Sequence, residues 1–529
     1  MAATIATPAY APSEQQEAVI DWAISGTGHL NLVARAGCGK TSTLLSLVQA
    51  LVKDAQAKGS RIGIFLGAYN KAIASEIKAK LESTGITWQQ AEASTMHAIG
   101  YRAWRKIAPS VAIDANKVRV IIQDKAAQDA EFADTVALCG NFLEEAVGFA
   151  KQRAFGVLCA IDDKSKWFDL IDHFGLEEAL DENAPSLDTL VNLAIEIFKL
   201  SKAQDHAVID YDDMILAPLA HKARFWQYDW VLVDEAQDTN PARRALCLAL
   251  LKPRTGRLVA VGDPAQAIYG FTGADSDSMD LIKRQMGSVE LPLTTTYRCA
   301  QSIVALAQQW VPDIQAHHSN AVGETLSIDM PNFLRIAPAA THAVLCRKNA
   351  PLVTLAFRYI RRGVACHVEG REIGMGLVKL TNRWKLRTIA ALLNRLPEYK
   401  EKELQRYQAK GQEGLASNLE DKIETLTVLA QKCQEEGKHD INDLRRLILE
   451  MFGNTPDGEQ PKNLTLCSVH KSKGREWDVV YLLGRNRYMP SKWARKDWQL
   501  QQEDNLCYVA VTRAKQQLID VYVREEDGL

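Results

Sequence analysis

The sequence predicts an α/β protein built on parallel sheets, and three observations support this class. Short continuous runs of Leu, Ile and Val recur, as expected for strands that are buried on both faces. These runs are residues 30–33, 62–66, 230–233, 258–261, 343–346, 464–468, 479–483 and 518–523. Segments with helical spacing, such as 43–57 and 71–82, lie between many of them, an alternation typical of sheets covered by helices. Two stretches, 98–203 and 379–460, break the alternation and are predicted to be mainly helical.

The composition is that of a globular protein with more than one domain. The chain has 529 residues, which exceeds what one hydrophobic core usually organises. Hydrophobic residues make up 47% and charged residues 24%, values that exclude collagen-like and disordered classes. The net charge is −2, so contacts with nucleic acid would need local basic patches. The ten cysteines form no CxxC pair, which argues against a zinc ribbon and favours a reducing compartment.

No targeting or membrane segment is evident in the sequence. The first dozen residues carry little basic charge and no long apolar run, so we expect no secretory signal. No stretch reaches the roughly 18 apolar residues of a membrane span. We therefore expect a cytoplasmic protein (or a nuclear one in a eukaryote) that is not secreted and does not bind a membrane.

The first candidate site is a glycine-rich turn between a strand and a helix. The apolar run 30–33 leads into it, and the helical segment from 43 follows. Its residues are Ala34, Arg35, Ala36, Gly37, Cys38, Gly39, Lys40, Thr41 and Ser42. Backbone N–H groups of such a loop converge on phosphate oxygens, and the helix N-terminus favours negative charge. Lys40 would reach the β- and γ-phosphates of a nucleotide, and the Thr41 hydroxyl would bind Mg²⁺.

Two features of this turn leave alternatives open. Ala34 stands where the general GxxxxGK[ST] pattern has glycine, so a chance glycine-rich turn is the competing interpretation. Cys38 is either a redox-sensitive thiol at a helix start or, as we favour, a small residue whose backbone matters.

The second candidate site is a pair of adjacent carboxylates, Asp234 and Glu235, directly after the apolar run 230–233. The carboxyl ends of parallel strands are where ligands bind in such sheets. Asp234 suits the Mg²⁺ sphere and Glu235 suits the base that orients an attacking water. The alternative is an acidic strand end that caps the next helix, which the neighbouring phosphate loop makes less attractive.

The segment 234–238, DEAQD, resembles motif II of UvrD/Rep-like superfamily 1 (class A) DNA helicases. Segments similar to the other motifs of that family follow the family's order and span residues 12–515. They are 12–19 (Q motif), 68–71 (Ia), 94–97 (Ib), 261–275 (III), 296–298 (IV), 343–350 (opening of the second motor domain), 468–478 (V) and 508–515 (VI).

The resemblance implies ATP and Mg²⁺ as cofactors and assigns further residues to the nucleotide. Gln15 would read the adenine edge and Tyr297 would stack on the ring. Gln266 would sense the γ-phosphate, Glu476 would join the nucleotide site, and Arg298 and Arg513 would contact the γ-phosphate, with Arg513 as the arginine finger. Lys40, Arg298 and Arg513 would then place three cations around one phosphate. Because they are far apart in sequence, the site would be completed across an interface between domains.

The resemblance also implies contacts with single-stranded DNA. Tyr269 and Phe271 are the candidates for stacking on bases, which is worth about 1–3 kcal/mol per base. Polar contacts would come from Asn70, Thr95, His97 and His470. Departures from close relatives weaken the expectation for DNA more than for ATP: Phe271 replaces a tryptophan but can still stack, Thr272 replaces an arginine, and the aromatic Tyr69 is displaced by one position. On the nucleotide side, Ser42 replaces an arginine, which removes one stacking face for adenine. A further segment, 485–498, interleaves cations with aromatics and is either a loop that grips phosphates or a solvated surface.

The family architecture implies two RecA-like parallel-sheet motor domains, each with a mainly helical insertion. The first motor domain would comprise 1–97 and 204–295, with its insertion at 98–203. The second would comprise 296–378 and 461–529, with a shortened insertion at 379–460.

Two functions fit this architecture. The first is ATP-driven 3′→5′ translocation on single-stranded DNA with unwinding of duplexes at single-strand/double-strand junctions, in repair, recombination or replication. The second is a DNA-stimulated ATPase or translocase that remodels protein–DNA complexes without processive unwinding. Protein partners within such a complex are possible in either case.

Overall fold

The structure is a computed structural model of the full chain. It describes residues 12–68, 70–180, 184–268, 277–362, 364–384, 386–409, 413–453, 463–495 and 497–528.

The strands are numbered in chain order. They are β1 (Leu30–Ala34), β2 (Ile64–Ala68), β3 (Ala91–Thr95), β4 (Ala112–Ile113), β5 (Val208–Ile209), β6 (Trp230–Val233), β7 (Arg257–Gly262), β8 (Val289–Leu293), β9 (Thr295–Thr296), β10 (Gln315–Ala316), β11 (Glu324–Asp329), β12 (His342–Cys346), β13 (Cys366–Glu369), β14 (Phe452–Gly453), β15 (Leu464–Ser468), β16 (Trp477–Leu483) and β17 (Ala514–Tyr522).

The α-helices are numbered in the same way. They are α1 (Glu14–Ser25), α2 (Lys40–Ala57), α3 (Lys71–Ser83), α4 (Met96–Trp104), α5 (Lys117–Gln128), α6 (Ala130–Gln152), α7 (Lys164–Phe174), α8 (Leu187–Ala203), α9 (Asp213–Ala220), α10 (Pro241–Ala249), α11 (Ser278–Met286), α12 (Gln301–Ala307), α13 (Met330–Arg335), α14 (Asn349–Arg361), α15 (Arg371–Asn382), α16 (Ile389–Ala409), α17 (Glu413–Glu435), α18 (Ile441–Met451), α19 (Arg485–Tyr488) and α20 (Asp497–Val511).

The first lobe is a six-stranded parallel sheet in the order β3-β2-β6-β7-β1-β8, with the helices packed on it. Strands β1, β2, β6 and β7 are almost wholly buried, which explains their continuous apolar runs. Because β6, β7 and β1 are neighbours, the loops that follow them meet at one edge.

The first helical insertion forms its own core next to this sheet. Helices α5 to α8 pack around the buried side chains of Phe142, Trp167 and Phe198, and the core continues onto the sheet through Phe65. A short parallel pair, β4 with β5, lies where the chain enters and leaves the insertion.

Buried charge also holds the insertion in place. Lys117 of α5 pairs with Asp205 and Asp213, each at 2.8 Å, and Lys151 of α6 pairs with Asp210 and Asp213. Both lysines are almost fully buried, so their ammonium groups are stable there only while these carboxylates accompany them.

The second lobe is a seven-stranded parallel sheet in the order β11-β17-β16-β12-β15-β13-β14, with its own helices. Between β13 and β14 the chain forms α15 to α18, and the apolar face of α17 joins the core under the sheet. That face includes Leu419, Ile423, Leu426 and Leu429, which are all buried.

The predicted α/β class with two parallel sheets is confirmed. The eight predicted strands are present as β1, β2, β6, β7, β12, β15, β16 and β17, with ends that differ from prediction by up to four residues. The stretches 98–203 and 379–460 are mainly helical in their described parts. Within the described residues, no helix is long and apolar enough to cross a membrane.

Candidate active site

The glycine-rich turn connects β1 to α2 at the carboxyl edge of the first sheet. Gly37 and Gly39 have positive φ angles of 73° and 83°, a backbone conformation that favours glycine. Lys40 is the first residue of α2, and its Nζ lies 2.9 Å from Glu235 Oε1. The Thr41 hydroxyl has no hydrogen-bond partner among the described residues, which leaves it available to a ligand. The turn thus has the form of a phosphate-binding loop.

Asp234 and Glu235 follow β6, which is the second strand over from β1, and Glu235 forms an ion pair with Lys40. Burial, and then the neighbouring Glu235, raise the pKa of Asp234 to about 6. Burial also opposes ionisation of Glu235, but Lys40 and then Lys473 outweigh it and lower the pKa of Glu235 to about 2. Glu235 is therefore ionised at neutral pH, as a base must be.

These residues fit a divalent cation only in part. Asp234 could supply a carboxylate and Thr41 a hydroxyl, both oxygen ligands of the kind that Mg²⁺ prefers. No group of three or more His, Cys, Asp or Glu side chains in the described parts of the chain could hold a metal ion. Such a sparse ligand set suits Mg²⁺ that arrives with phosphate oxygens and water.

A chain of hydrogen bonds links the acidic pair to the loop after β7. Gln237 donates to Glu235, and Gln237 Oε1 accepts from the Asp263 backbone N–H at 3.1 Å. Asp263 Oδ2 in turn accepts from Gln266 Nε2 at 2.8 Å. Gln266, predicted to sense the γ-phosphate, is therefore connected to the predicted base through side chains that are largely buried.

Arg35 also uses Asp263 as a partner. It forms an ion pair with this carboxylate at 3.0 Å and with Asp313 at 2.8 Å. Residues 294–320 form the passage between the two sheets, so Arg35 ties the phosphate loop to that passage.

Arg298 lies directly against the phosphate loop. A Cβ added at Gly37 would lie 2.5 Å from Arg298 Cβ and from Thr296 Oγ1. The Tyr297 backbone N–H donates to the Gly37 carbonyl at 2.9 Å. The Arg298 guanidinium pairs with Glu476 at 2.5 Å, and Glu476 also pairs with Lys515 at 3.0 Å.

Arg513 completes a group of cations at this interface. Its side chain is buried and donates to the Val509 carbonyl at 3.0 Å, the Arg475 carbonyl at 3.2 Å and Thr512 Oγ1 at 3.2 Å. Burial, and then the repulsion of Arg298, lower the pKa of Arg513 to about 10. Two arginines held close enough to repel each other form a site that an anion would stabilise.

The two lobes are in direct contact around this site. Lys473 of the second lobe pairs with Asp238 at 2.7 Å and donates to the Gln266 carbonyl. Asn505 of α20 donates to the Ala267 carbonyl at 3.0 Å, and Ala36 of the phosphate loop packs into an apolar cluster formed mainly by the second lobe. The structure therefore brings Lys40, Arg298 and Arg513 to one interface.

The residues predicted to hold adenine are grouped as well. Both ends of the Gln15 amide bond to Thr294, each at 2.9 Å, three residues before Tyr297. The Tyr297 ring is 4.8 Å from that of His317. Ser42 is exposed and supplies no second stacking face.

Those predicted DNA contacts that the structure describes lie at or just after the carboxyl ends of strands. Asn70 and Thr95 cap α3 and α4 by accepting from Ile73 N at 2.8 Å and Ala98 N at 3.2 Å. Burial, then Arg243, lower the pKa of His97 to about 4. Burial, then Arg347, lower that of His470 well below its usual value. Tyr69, Tyr269, Phe271 and Thr272 lie outside the described residues.

Within the segment 485–498, the described residues 485–495 and 497–498 make several contacts with the rest of the second lobe. Arg485 pairs with Asp520 and Lys492 with Glu420 at 2.9 Å. Trp493 is buried and donates to Glu420 at 3.3 Å, whereas Trp498 is exposed. These contacts favour a packed surface over a loop that grips phosphates.

Sequence reasoning missed several polar residues of the interface: Asp238, Asp263, Lys473, Asn505 and Tyr508. Each stands inside or beside a segment that resembles a family motif, but nothing in the spacing of a single Tyr or Asn indicates a contact with the other lobe. Lys473, in a Gly-flanked basic run, carried the strongest available signal.

Comparison with known proteins agrees with this geometry. Residues 13–287 match the UvrD/REP helicase N-terminal domain and residues 379–525 match the UvrD-like helicase C-terminal domain. The ATP-dependent DNA helicase UvrD2 of Mycobacterium tuberculosis is 24% identical over 95% of this chain and 77% of its own length. The ATP-dependent DNA helicase PcrA of Staphylococcus epidermidis is 21% identical over 96% of this chain and 82% of its own length. DNA helicase IV of Escherichia coli is 27% identical over 54% of this chain and 46% of its own length.

Proposed function

The chain belongs to the UvrD/REP helicase family and is an ATP-dependent DNA helicase, and we propose that it moves 3′→5′ along single-stranded DNA and unwinds duplexes at junctions. The observation that carries the proposal is the convergence of Lys40, Arg298 and Arg513 from both lobes on one interface. A site divided in this way couples the state of the nucleotide to the relative position of the lobes.

In this proposal the lobes are two RecA-like motor domains. The first comprises 1–97 and 204–295 with its insertion at 98–203, and the second comprises 296–378 and 461–529 with its insertion at 379–460.

The roles at the nucleotide follow from the contacts. Lys40, which pairs with Glu235 at 2.9 Å, would exchange that carboxylate for phosphate oxygens. Glu235 would then be free to orient and deprotonate the attacking water, and its lowered pKa keeps it ionised for that purpose. Mg²⁺, held by Thr41 and Asp234 together with the phosphates, would neutralise phosphate charge and fix its orientation.

The cations of the second lobe would act on the charge that develops during cleavage. Arg298 and Arg513 would stabilise the equatorial phosphate oxygens, and an arginine finger of this kind is worth about 10³–10⁵ in rate. Glu476, now between Arg298 and Lys515, would hold Arg298 in place until phosphate replaces it. Gln266 would report the presence of the γ-phosphate through Asp263 and Gln237.

On the DNA side, Tyr269 and Phe271 are proposed to stack on bases. Asn70, Thr95, His97 and His470 are proposed to contact the strand. Because their pKa values are lowered, His97 and His470 would bind as neutral hydrogen-bonding groups and not as cations. Their contribution to affinity should therefore depend little on salt.

The alternative is a DNA-stimulated translocase that removes bound proteins without processive unwinding. The observation that favours it is the attachment of the second insertion to the rest of the lobe: Lys348 and Lys492, which lie outside the insertion, both pair with Glu420 of α17. An insertion fixed in this way would not swing to regulate strand separation. In both forms of the proposal, the protein would act with specific protein partners in repair, recombination or replication.

The first experiment measures ATP hydrolysis with and without an oligothymidine strand. We expect strong stimulation by DNA, and we expect Lys40→Ala to abolish hydrolysis because it removes the cation nearest the phosphates. Lys53→Ala, a change farther along the same helix, serves as the control. Equal hydrolysis with and without DNA would contradict the proposal.

A second experiment separates the two forms of the proposal. Duplexes with a 3′ tail, a 5′ tail or no tail are presented with ATP, and strand separation is followed by fluorescence. Unwinding of the 3′-tailed duplex alone supports the leading form. Stimulated hydrolysis with displacement of a bound protein but no strand separation supports the alternative.

A further inference from the structure

A buried tyrosine in the second lobe reaches the phosphate loop of the first. The Tyr508 hydroxyl accepts a hydrogen bond from the Ala36 backbone N–H at 2.9 Å and donates one to the Asp263 carboxylate. Tyr508 is fully buried and Ala36 is 1% exposed. A hydrogen bond between buried groups is costly to break because neither partner can turn to water.

Tyr508 belongs to α20, the helix that leads into Arg513. Its carbonyl accepts from the Thr512 N–H at 3.0 Å and from Thr512 Oγ1 at 2.8 Å. Thr512 Oγ1 accepts from the Arg513 guanidinium at 3.2 Å. The Tyr508 residue, through its hydroxyl at one end and its carbonyl at the other, therefore links the phosphate loop to the guanidinium of Arg513.

The same face of α20 makes a second contact with the first lobe. Asn505, three residues before Tyr508 and thus on the same side of the helix, donates to the Ala267 carbonyl at 3.0 Å. Two side chains thus fix both the position and the rotation of α20 against the first lobe. Only one of them, Tyr508, touches the phosphate loop itself.

We propose that Tyr508 is a positioning residue for phosphoryl transfer. Its hydroxyl fixes the position of the phosphate loop relative to α20 and thereby determines where Arg513 lies. This inference rests on the proposed function, because it assumes that Arg513 acts on the phosphate. Tyr508 itself need not contact the nucleotide. Its effect is exerted through Arg513, since a displacement of about 1 Å of such a group can reduce a rate about 10²-fold.

The test is Tyr508→Phe, which keeps the ring and removes the hydroxyl. We expect kcat for DNA-stimulated hydrolysis to fall about tenfold, with KM for ATP changed by less than about threefold, because ground-state binding does not need the finger. The rate is referred to the folded fraction measured by circular dichroism, so that a loss of folded protein does not enter kcat.

The matched control is Tyr359→Phe. Tyr359 is also fully buried in the second lobe, but its hydroxyl has no hydrogen-bond partner. We expect this variant to keep wild-type kcat and KM. A fall in kcat as large as that of Tyr508→Phe would show that any lost buried hydroxyl has this effect and would overturn the inference.

A double-variant comparison identifies the route of action. In an Arg513→Lys background, Tyr508→Phe should change kcat by less than about twofold, because the group that it positions is already gone. A full tenfold effect in that background would mean that Tyr508 acts independently of Arg513, and the inference would be wrong. Unchanged kcat in Tyr508→Phe alone would also overturn it.

The controls also separate this inference from the proposed function. If the wild-type protein is not stimulated by DNA, the proposed function fails first. If DNA stimulates ATP hydrolysis by the wild type and by Tyr508→Phe to the same rate, only the proposed role of Tyr508 is wrong.

Discussion

At the scale of single residues, burial combined with a specific neighbour decides the charge of each group in the site. Lys40 and Glu235 stabilise each other, while Asp234 next to them is pushed toward its neutral form. Two adjacent carboxylates with similar ordinary pKa values thus acquire different pKa values from their surroundings, which the residue types alone do not show.

Cys38 illustrates the same dependence. Burial raises the pKa of its thiol to about 12, although Lys40 opposes the change, so the reactive thiolate is scarce at neutral pH. We expect ATP hydrolysis by the wild type to resist N-ethylmaleimide at pH 7.5 and Cys38→Ala to keep hydrolysis within about twofold. Rapid inactivation that Cys38→Ala abolishes would restore the redox interpretation of this residue.

Asp212, beside the buried lysine cluster of the first insertion, predicts a pH-dependent stability. Burial, then Asp210, raise its pKa from 3.8 to about 6. Because the folded state binds this proton more tightly than the unfolded state, the stabilisation is complete below pH 3.8 and is lost as pH rises through 6. Asp212→Asn should therefore increase the free energy of unfolding at pH 8 by about 1–3 kcal/mol.

Thermal unfolding at two pH values tests this sign. The gain from Asp212→Asn should shrink to about half at pH 5, whereas exposed Asp169→Asn should show little effect at either pH. A variant that is less stable than the wild type at pH 8 would mean that Asp212 is a useful partner of Gln152, to which it lies within 3.4 Å.

At the scale of elements, the sequence predicted interior strands well and edge strands poorly. The predicted runs are central in their sheets, where both faces are covered. In the two large sheets, the strands that were not predicted are β3, β8, β11 and β14 at the edges and β13, a four-residue strand next to β14. The residues of β8 and β11 are mostly exposed, so they carry polar side chains and proline and lack a continuous apolar run.

The residues of the candidate site also differed in how far a local sequence pattern could predict them. Lys40, Asp234 and Glu235 follow buried strands at short, regular spacing, and elementary chemistry identifies them. Arg298 and Arg513 could be assigned only through family resemblance, because their spacing to the phosphate loop carries no information. The contacts of Tyr508 depend on how the lobes pack, which no local pattern encodes.

One helix of the second insertion caps a helix of the second lobe. The carboxylate of Asp421, in α17, accepts from the Asn349 N–H at 2.8 Å and the Ala350 N–H at 3.2 Å, at the start of α14. Asp421→Ala leaves these donors unsatisfied, and we expect it to lower the free energy of unfolding by about 1–3 kcal/mol.

The measurement is thermal unfolding combined with limited proteolysis of residues 379–460, which should become more susceptible. Asp443→Ala, which removes a pair with Arg446 on α18, is the control and should cost less than about 1 kcal/mol. Equal stability of the two variants would mean that α17 is held by its apolar face alone.

At the scale of the whole molecule, the lobes meet through a few buried polar contacts and one shared apolar cluster. Lys473 is the most connected of the polar groups, because it bonds to both oxygens of Asp238 and to the Gln266 carbonyl. Lys473→Met should therefore weaken closure of the lobes and leave Asp238 buried without its cation.

Small-angle X-ray scattering measures this closure directly. We expect a larger radius of gyration for Lys473→Met than for the wild type without nucleotide, because the lobes separate. Lys492→Met removes a cation within the second lobe and should leave the radius unchanged. If both variants scatter like the wild type, the shared apolar cluster is sufficient to keep the lobes together.

The close approach at Gly37 has a consequence for genetic screens of this chain. A side chain of any size at position 37 would collide with the polypeptide at Thr296 and Arg298. Loss-of-function alleles at this codon should therefore resist suppression by a change at residue 296 alone, because Thr296→Gly would leave both the contact with Arg298 Cβ and the positive φ of residue 37 in place.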